Sequence, residues 1–168
     1  MTISEIRKHA ILAHKAVNHL YDGESYEVHL SLAESFGLRF SHLIPENDLN
    51  DVIGGIWEHD SIEDCGLTFN DVKKATNERI AELAYACTNE KGRNRAERAS
   101  DKYYEGIRNT KYATFVKLCD RLANVEYSLK KGNRMIDLYR KEHEHFKKML
   151  YVPGEYEPMW ELLDMIIL

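Results

Sequence analysis

The chain of 168 residues carries 43% hydrophobic and 30% charged side chains, one ordinary domain in length, and buries roughly two thirds of its unfolded surface without staples. With only 9 Gly and 3 Pro, that composition excludes collagen, a disordered tail and a disulfide-built miniprotein. Lys and Arg number 23 against 28 Asp and Glu, a formal charge of −5, so general nucleic-acid binding, which needs a basic surface, is not expected.

The pattern reads helical almost throughout. Thr2 or Ser4 caps a first helix with Ile6, Ala10, Ala13 and Val17 at spacings of three and four. Tyr21-Asp22-Gly23-Glu24-Ser25 is a turn signal centred on Asp-Gly, and a second helix runs from Tyr26 to Phe36 with Gly37 as its terminating residue. Pro45 opens a third helix whose face carries Leu49, Val52, Ile53, Ile56 and Trp57. Gly54-Gly55 inside it costs about 1 kcal/mol per glycine against alanine, which predicts a closely approaching neighbour helix. Thr68-x-x-Asp71 is a capping box, and Asn77 caps a run through Ile80, Leu83, Ala84 and Cys87. A charge-dense stretch from Glu90 to Lys102 leads to a long helix striped with Phe115, Leu118, Leu122 and Val125, which Gly132 breaks. Helical runs over Met135–Leu150 and Tyr156–Ile167 close the chain. No hairpin or alternating β-branched run is evident, so the expectation is one all-α domain over residues 1–168, a bundle of about eight helices.

Cys65, Cys87 and Cys119 share no Cys-x-x-Cys spacing, and MTISEIRKHA has no apolar leader. No segment approaches the roughly 20 apolar residues of a membrane span, so free thiols and a cytoplasmic address are expected, with no membrane partner. The apolar end from Met159 to Leu168 packs on the domain, or forms a homo-oligomer contact.

The segment most loaded with chemistry is Trp57-Glu58-His59-Asp60-Ser61-Ile62-Glu63-Asp64, acidic residues and a histidine where an apolar helix ends. Taken alone it reads as a solvated acidic helix end; as a ligand set, imidazole plus carboxylate suits Mn²⁺, Fe²⁺ or Zn²⁺ better than Mg²⁺ or Ca²⁺. His29 sits on a helix otherwise rich in Leu, Val and Ala, where a satisfied core histidine is the alternative. Asp120 lies inside the apolar run Phe115–Ala123, where a carboxylate is costly unless paired or bound to a cation, and Asn124 shares its helical face.

Tyr26-x-x-His29, then His59-Asp60-x-x-Glu63-Asp64, then Val116-Lys117-Leu118-x-Asp120-x-x-x-Asn124 resembles the motif order of HD-domain phosphohydrolases. More narrowly it resembles the hydrolase domain of RelA/SpoT-type alarmone enzymes and their small stand-alone relatives, over roughly Ala10 to Ser128. The resemblance implies that His29, His59, Asp60 and Asp120 hold one divalent metal, usually Mn²⁺, that Glu63 and Asp64 handle the attacking water, and that Asn124 touches the nucleotide. It implies a guanosine 3′,5′-bis(diphosphate) 3′-pyrophosphohydrolase. The alternatives are another HD hydrolase activity (on a deoxynucleoside monophosphate, a cyclic nucleotide or a phosphorylated dinucleotide) or a non-catalytic nucleotide-sensing module.

Arg93, Arg95 and Lys102, with Tyr103 as a stacking ring, are candidates for a phosphorylated nucleotide; the competing reading is an exposed face with internal Glu–Arg pairs. Lys117 and Arg121 flank Asp120, and either is a candidate to pair with it. Glu142-His143-Glu144-His145 reads as a solvated helix face. The chain departs from the family where Asn18-His19-Leu20-Tyr21 replaces a basic pair, Ser25 replaces the turn proline and Leu30 follows His29, which leaves the base preference open.

Overall fold

A computed structural model describes residues 1–168. Eight helices of nine residues or more carry the fold: α1 (Ile3–Ala16), α2 (Glu27–Arg39), α3 (Glu46–Glu58), α6 (Glu78–Cys87), α8 (Asp101–Asn109), α9 (Ala113–Lys131), α10 (Met135–Leu150) and α11 (Glu157–Ile167). Three shorter helices, α4 (Ser61–Cys65), α5 (Phe69–Ala75) and α7 (Arg95–Arg98), fill the connections. The expected all-α bundle is what the chain forms, and no helix is long and apolar enough to cross a membrane.

Local chemistry sets most helix starts. Thr2 and Thr68 each close a capping box, with Glu5 and Asp71 respectively, and the Asn77 side chain accepts from the Ile80 N–H. Gly132 ends α9 at φ 63°. The long helix α9 is the axis of the bundle and packs against α2, α3, α6, α8, α10 and α11. Its residues Phe115, Leu118, Cys119 and Leu122 are fully enclosed within one cluster of 38 buried residues. Along α11, Met159, Trp160, Leu163 and Ile167 turn inward against α9 and α10.

Three local expectations are corrected. The α1 stripe ends on buried His14, while Val17 lies beyond the helix, 47% exposed. Gly37 does not end α2, which continues to Arg39; a Cβ there would stand 2.5 Å from Ile56 Cδ1, so the glycine serves the close approach of α2 to α3. A hairpin does form: β1 (Leu20–Tyr21) pairs antiparallel with β2 (Glu24–Ser25) around Asp22 and Gly23, at φ 52° and 82°. Two successive left-handed residues make the tight turn that Asp-Gly favours. The hairpin turns Tyr21 toward α9, where its hydroxyl donates to Asn124 Oδ1 at 2.8 Å.

Gly54 and Gly55 meet α6 as expected. A Cβ on Gly54 would lie 2.5 Å from Ile80 Cδ1, and one on Gly55 would lie 2.5 Å from Leu83 Cδ1 and 2.9 Å from Leu83 Cβ. Gly106, in α8, has nothing within 4 Å. Gly55→Ala therefore destabilises by about 1–2 kcal/mol, overpacking outweighing helix propensity. Gly106→Ala stabilises by about 0.5–1 kcal/mol. Urea unfolding of both variants checks the contrast, and two shifts of the same sign would refute it.

Candidate functional site

Three elements bring the ionisable cluster together. α2 contributes His29 from its first turn, the junction of α3 with α4 contributes His59 and Asp60, and the middle of α9 contributes Asp120. The two imidazole Nε2 atoms face each other at 3.3 Å. Asp120 Oδ1 lies 3.2 Å from His29 Nε2 and 3.6 Å from His59 Nε2. Asp60 Oδ2 lies 2.9 Å from His59 Nε2 and 3.7 Å from His29 Nε2. An ion with bonds of about 2.0–2.2 Å to nitrogen and oxygen sets its ligand atoms roughly 3–3.6 Å apart, so the spacing of His29, His59 and Asp120 fits one divalent cation, with Asp60 Oδ2 beside them. Ligand atoms of His29, His59 and Asp120 all lie within 4.8 Å of one another, and all three residues are buried.

Neighbouring groups fix the direction of each donor atom. The His59 Nδ1–H donates to the Ile56 carbonyl at 2.6 Å, which leaves Nε2 for the shared site. Tyr26 donates its hydroxyl proton to Asp60 Oδ2. Lys117 Nζ holds Asp120 Oδ2 at 2.7 Å, while the Asn124 amide holds Oδ1 at 2.5 Å and the Asp120 carbonyl at 3.1 Å. Of the two cations beside Asp120, Lys117 is thus its partner; Arg121 turns to Glu142 at 2.9 Å.

Proton occupancy follows from this crowding. Burial disfavours a charged His59, but the Asp60 and Asp120 carboxylates outweigh it and hold the imidazole proton on well above the usual range. Burial likewise opposes ionisation of Asp120, but Lys117 and the two histidines overcome it and hold its carboxyl low. Asp64 moves the other way: burial, then the Asp60 and Glu63 carboxylates, push it up to about 7. Burial and the Asp64 carboxylate push the Cys65 thiol up to about 12, so it is no nucleophile at neutral pH.

Beside the cluster opens a cavity of about 330 Å³. Of the residues singled out from the sequence, Asp60, Glu63, Asp64, Arg95, Tyr103, Asp120 and Asn124 line it. His29 and His59 lie behind its wall, each 1% exposed. Arg93 and Lys102 do not line it: Arg93 is 91% exposed and pairs with Glu97, and Lys102 is 80% exposed and pairs with Glu90. Tyr103 is 4% exposed, and its hydroxyl donates to the Cys87 carbonyl at 3.4 Å, so its ring is mostly core. Asn124, expected to touch a nucleotide, is already committed to Asp120 and Tyr21.

Residues that carried no role in the sequence also matter. Tyr26 orients Asp60, and Asn89 holds Glu63 through its backbone N–H at 3.0 Å and its side-chain amide at 2.9 Å. Glu142, expected on a solvated face, bonds Arg95 and Arg121 inside the cavity wall. His143 pairs with Asp164 at 2.7 Å. No protein-family model matches the chain, and no curated protein matches it.

Because His59 carries a proton at neutral pH that a cation must displace, metal affinity rises with pH, by up to about tenfold per unit while one proton is released. Calorimetric titration with Mn²⁺ at pH 6 and pH 8, in buffers of different ionisation enthalpy, checks this; pH-independent affinity would contradict it. If the cluster holds the cation, Asp120→Ala removes one of its donor groups and should weaken Mn²⁺ binding by at least about 100-fold.

Proposed function

We propose that this protein is a metal-dependent phosphohydrolase of the HD type acting on a phosphorylated nucleotide, with guanosine 3′,5′-bis(diphosphate) as the first substrate to test. The observation that carries the reading is the convergence of His29, His59, Asp60 and Asp120 at the wall of a cavity that also presents Glu63, Asp64, Arg95, Lys117 and Arg121. The order of the three sequence motifs supports the alarmone among nucleotide substrates.

A divalent cation held by the four side chains supplies Lewis-acid polarisation of a phosphoryl oxygen and makes water more acidic. The rest is the work of the chain. Asp64, which lines the cavity with a carboxyl near neutrality, takes a proton from the attacking water and gives it to the leaving oxygen. Asn89 keeps Glu63 at the cavity edge, and the negative Glu63 in turn raises the basicity of Asp64. In the balanced step, one water adds to phosphorus, the bond from phosphorus to the ribose 3′-oxygen breaks, and the products are GDP and pyrophosphate. Lys117 balances the charge of Asp120 without entering the reaction.

Resolving the products of ppGpp and a nucleotide panel by chromatography, with and without Mn²⁺, tests the reading. Metal-dependent release of pyrophosphate or phosphate is expected. Asp64→Asn retains the metal and loses about 10²-fold or more in kcat. Equal turnover in excess chelator, or a fully active Asp64→Asn protein, would overturn the assignment.

A further inference from the structure

Glu142 stands out in the cavity because it occupies a place where an anion from outside would bind. Arg95 approaches it as a fork, Nε to Oε1 at 2.5 Å and Nη2 to Oε2 at 3.2 Å, while Arg121 Nη1 reaches Oε2 at 2.9 Å. Two guanidinium groups thus share one carboxylate. Both are set by aromatic rings: Arg121 Cζ lies 4.4 Å from the centroid of Phe146 and 5.0 Å from that of Tyr139, and Arg95 Cζ lies 5.8 Å from Tyr139.

The two arginines differ in freedom. The Arg121 side chain is 8% exposed, yet of its five N–H donors only Nη1 meets a protein acceptor, and none is among the buried polar atoms without a partner. Its remaining donors therefore keep contact with the cavity that it lines. Arg95 is 46% exposed and rides on α7, a single turn in the segment between α6 and α8. Burial opposes the charge on Glu142, but hydrogen bonds from Arg95 and Arg121 overcome it and hold the carboxyl below its usual range. The seat is therefore filled by an anion at neutral pH. A buried Arg121 without a partner would be strongly destabilising, so an occupant is required in every state.

We propose that Glu142 is an internal competitor at an anion seat, holding Arg95 and Arg121 until a substrate phosphate remote from the reacting phosphoryl group displaces it. This rests on the nucleotide phosphohydrolase reading and concerns how a substrate phosphorylated at two separate places, such as the bis(diphosphate) above, enters the cavity. One phosphoryl group meets the His–Asp cluster, and the other displaces Glu142 from Arg95 and Arg121. Phosphate presents more oxygens to forked donors than a carboxylate and carries more charge, so it competes for the seat where a neutral group does not. Arg121 stays paired throughout the exchange. A nucleotide phosphorylated only at its reacting end leaves Glu142 in place and gains nothing from the pair.

The test is Glu142→Gln, which keeps the side-chain shape and an accepting oxygen while removing the competing charge. With Mn²⁺-loaded protein at low ionic strength, inorganic phosphate is titrated calorimetrically into wild type, Glu142→Gln and the double variant Glu142→Gln/Arg95→Gln, after thermal melts have shown that each is folded. Glu142→Gln is expected to bind phosphate about tenfold more tightly than wild type. Arg95→Gln, at a half-exposed position, should abolish that gain, which assigns it to the arginine seat and not to the metal. Equal affinities in wild type and Glu142→Gln, or a gain that survives Arg95→Gln, would overturn the proposal. Phosphate binding is read without turnover, so an inactive protein would count against the hydrolase reading and leave this comparison intact. With an active protein, Glu142→Gln should lower KM for the doubly phosphorylated nucleotide and leave KM unchanged for its singly phosphorylated counterpart. An equal change for both would also contradict competition at the arginine seat.

Discussion

Asp120 occupies the middle of α9, a helix whose inward residues include Phe115, Leu118, Cys119 and Leu122, and the arrangement around it follows from keeping one carboxylate charged there. Removing a carboxylate from water costs several kcal/mol unless partners recover it. Lys117 recovers part, from one turn earlier on α9, and the Asn124 amide recovers part from one turn later. The remaining lone pairs face two imidazoles that belong to other elements, so α2 and the α3–α4 junction must dock on α9 in one register. The same contacts that make the residue tolerable therefore assemble the donor set.

That docking depends on short interhelical distances, and the glycines provide them. Gly37 lets α2 approach Ile56 of α3, and Gly54 and Gly55 let α3 approach Ile80 and Leu83 of α6. Each glycine gives up helix propensity worth about 1 kcal/mol so that the backbone carrying His29 or His59 lies close enough to its neighbours. The Asp22–Gly23 turn acts similarly at longer range. It aims Tyr21 at Asn124, and Tyr127 on α9 donates to Asp22 at 3.1 Å.

Much of the fold was legible because helices announce themselves locally. The Thr2, Thr68 and Asn77 caps, Pro45 ahead of α3 and Gly132 after α9 are each set by residues within four positions of one another. Asp120 stood out for the same kind of reason, a charge inside an apolar run. Two misreadings have their physical origin in partners far along the chain. Gly37 signals a helix end until Ile56 is seen against it, and Glu142 looks solvated until Arg95, 47 residues earlier, folds back onto it. Within the basic stretch Lys91–Lys102, a one-turn helix lets Arg95 face the cavity while Arg93 and Lys102 find Glu97 and Glu90 outside; composition does not carry that distinction.

A cation shared by His29, His59, Asp60 and Asp120, as proposed, would be bonded to two imidazole nitrogens. Electron spin-echo modulation of the Mn²⁺-loaded protein reports directly on nitrogens bonded to the ion. Two directly coordinated nitrogens are predicted, falling to one in His29→Gln. An echo without nitrogen modulation, or one unchanged in His29→Gln, would show that the ion sits elsewhere and that these side chains do not hold it.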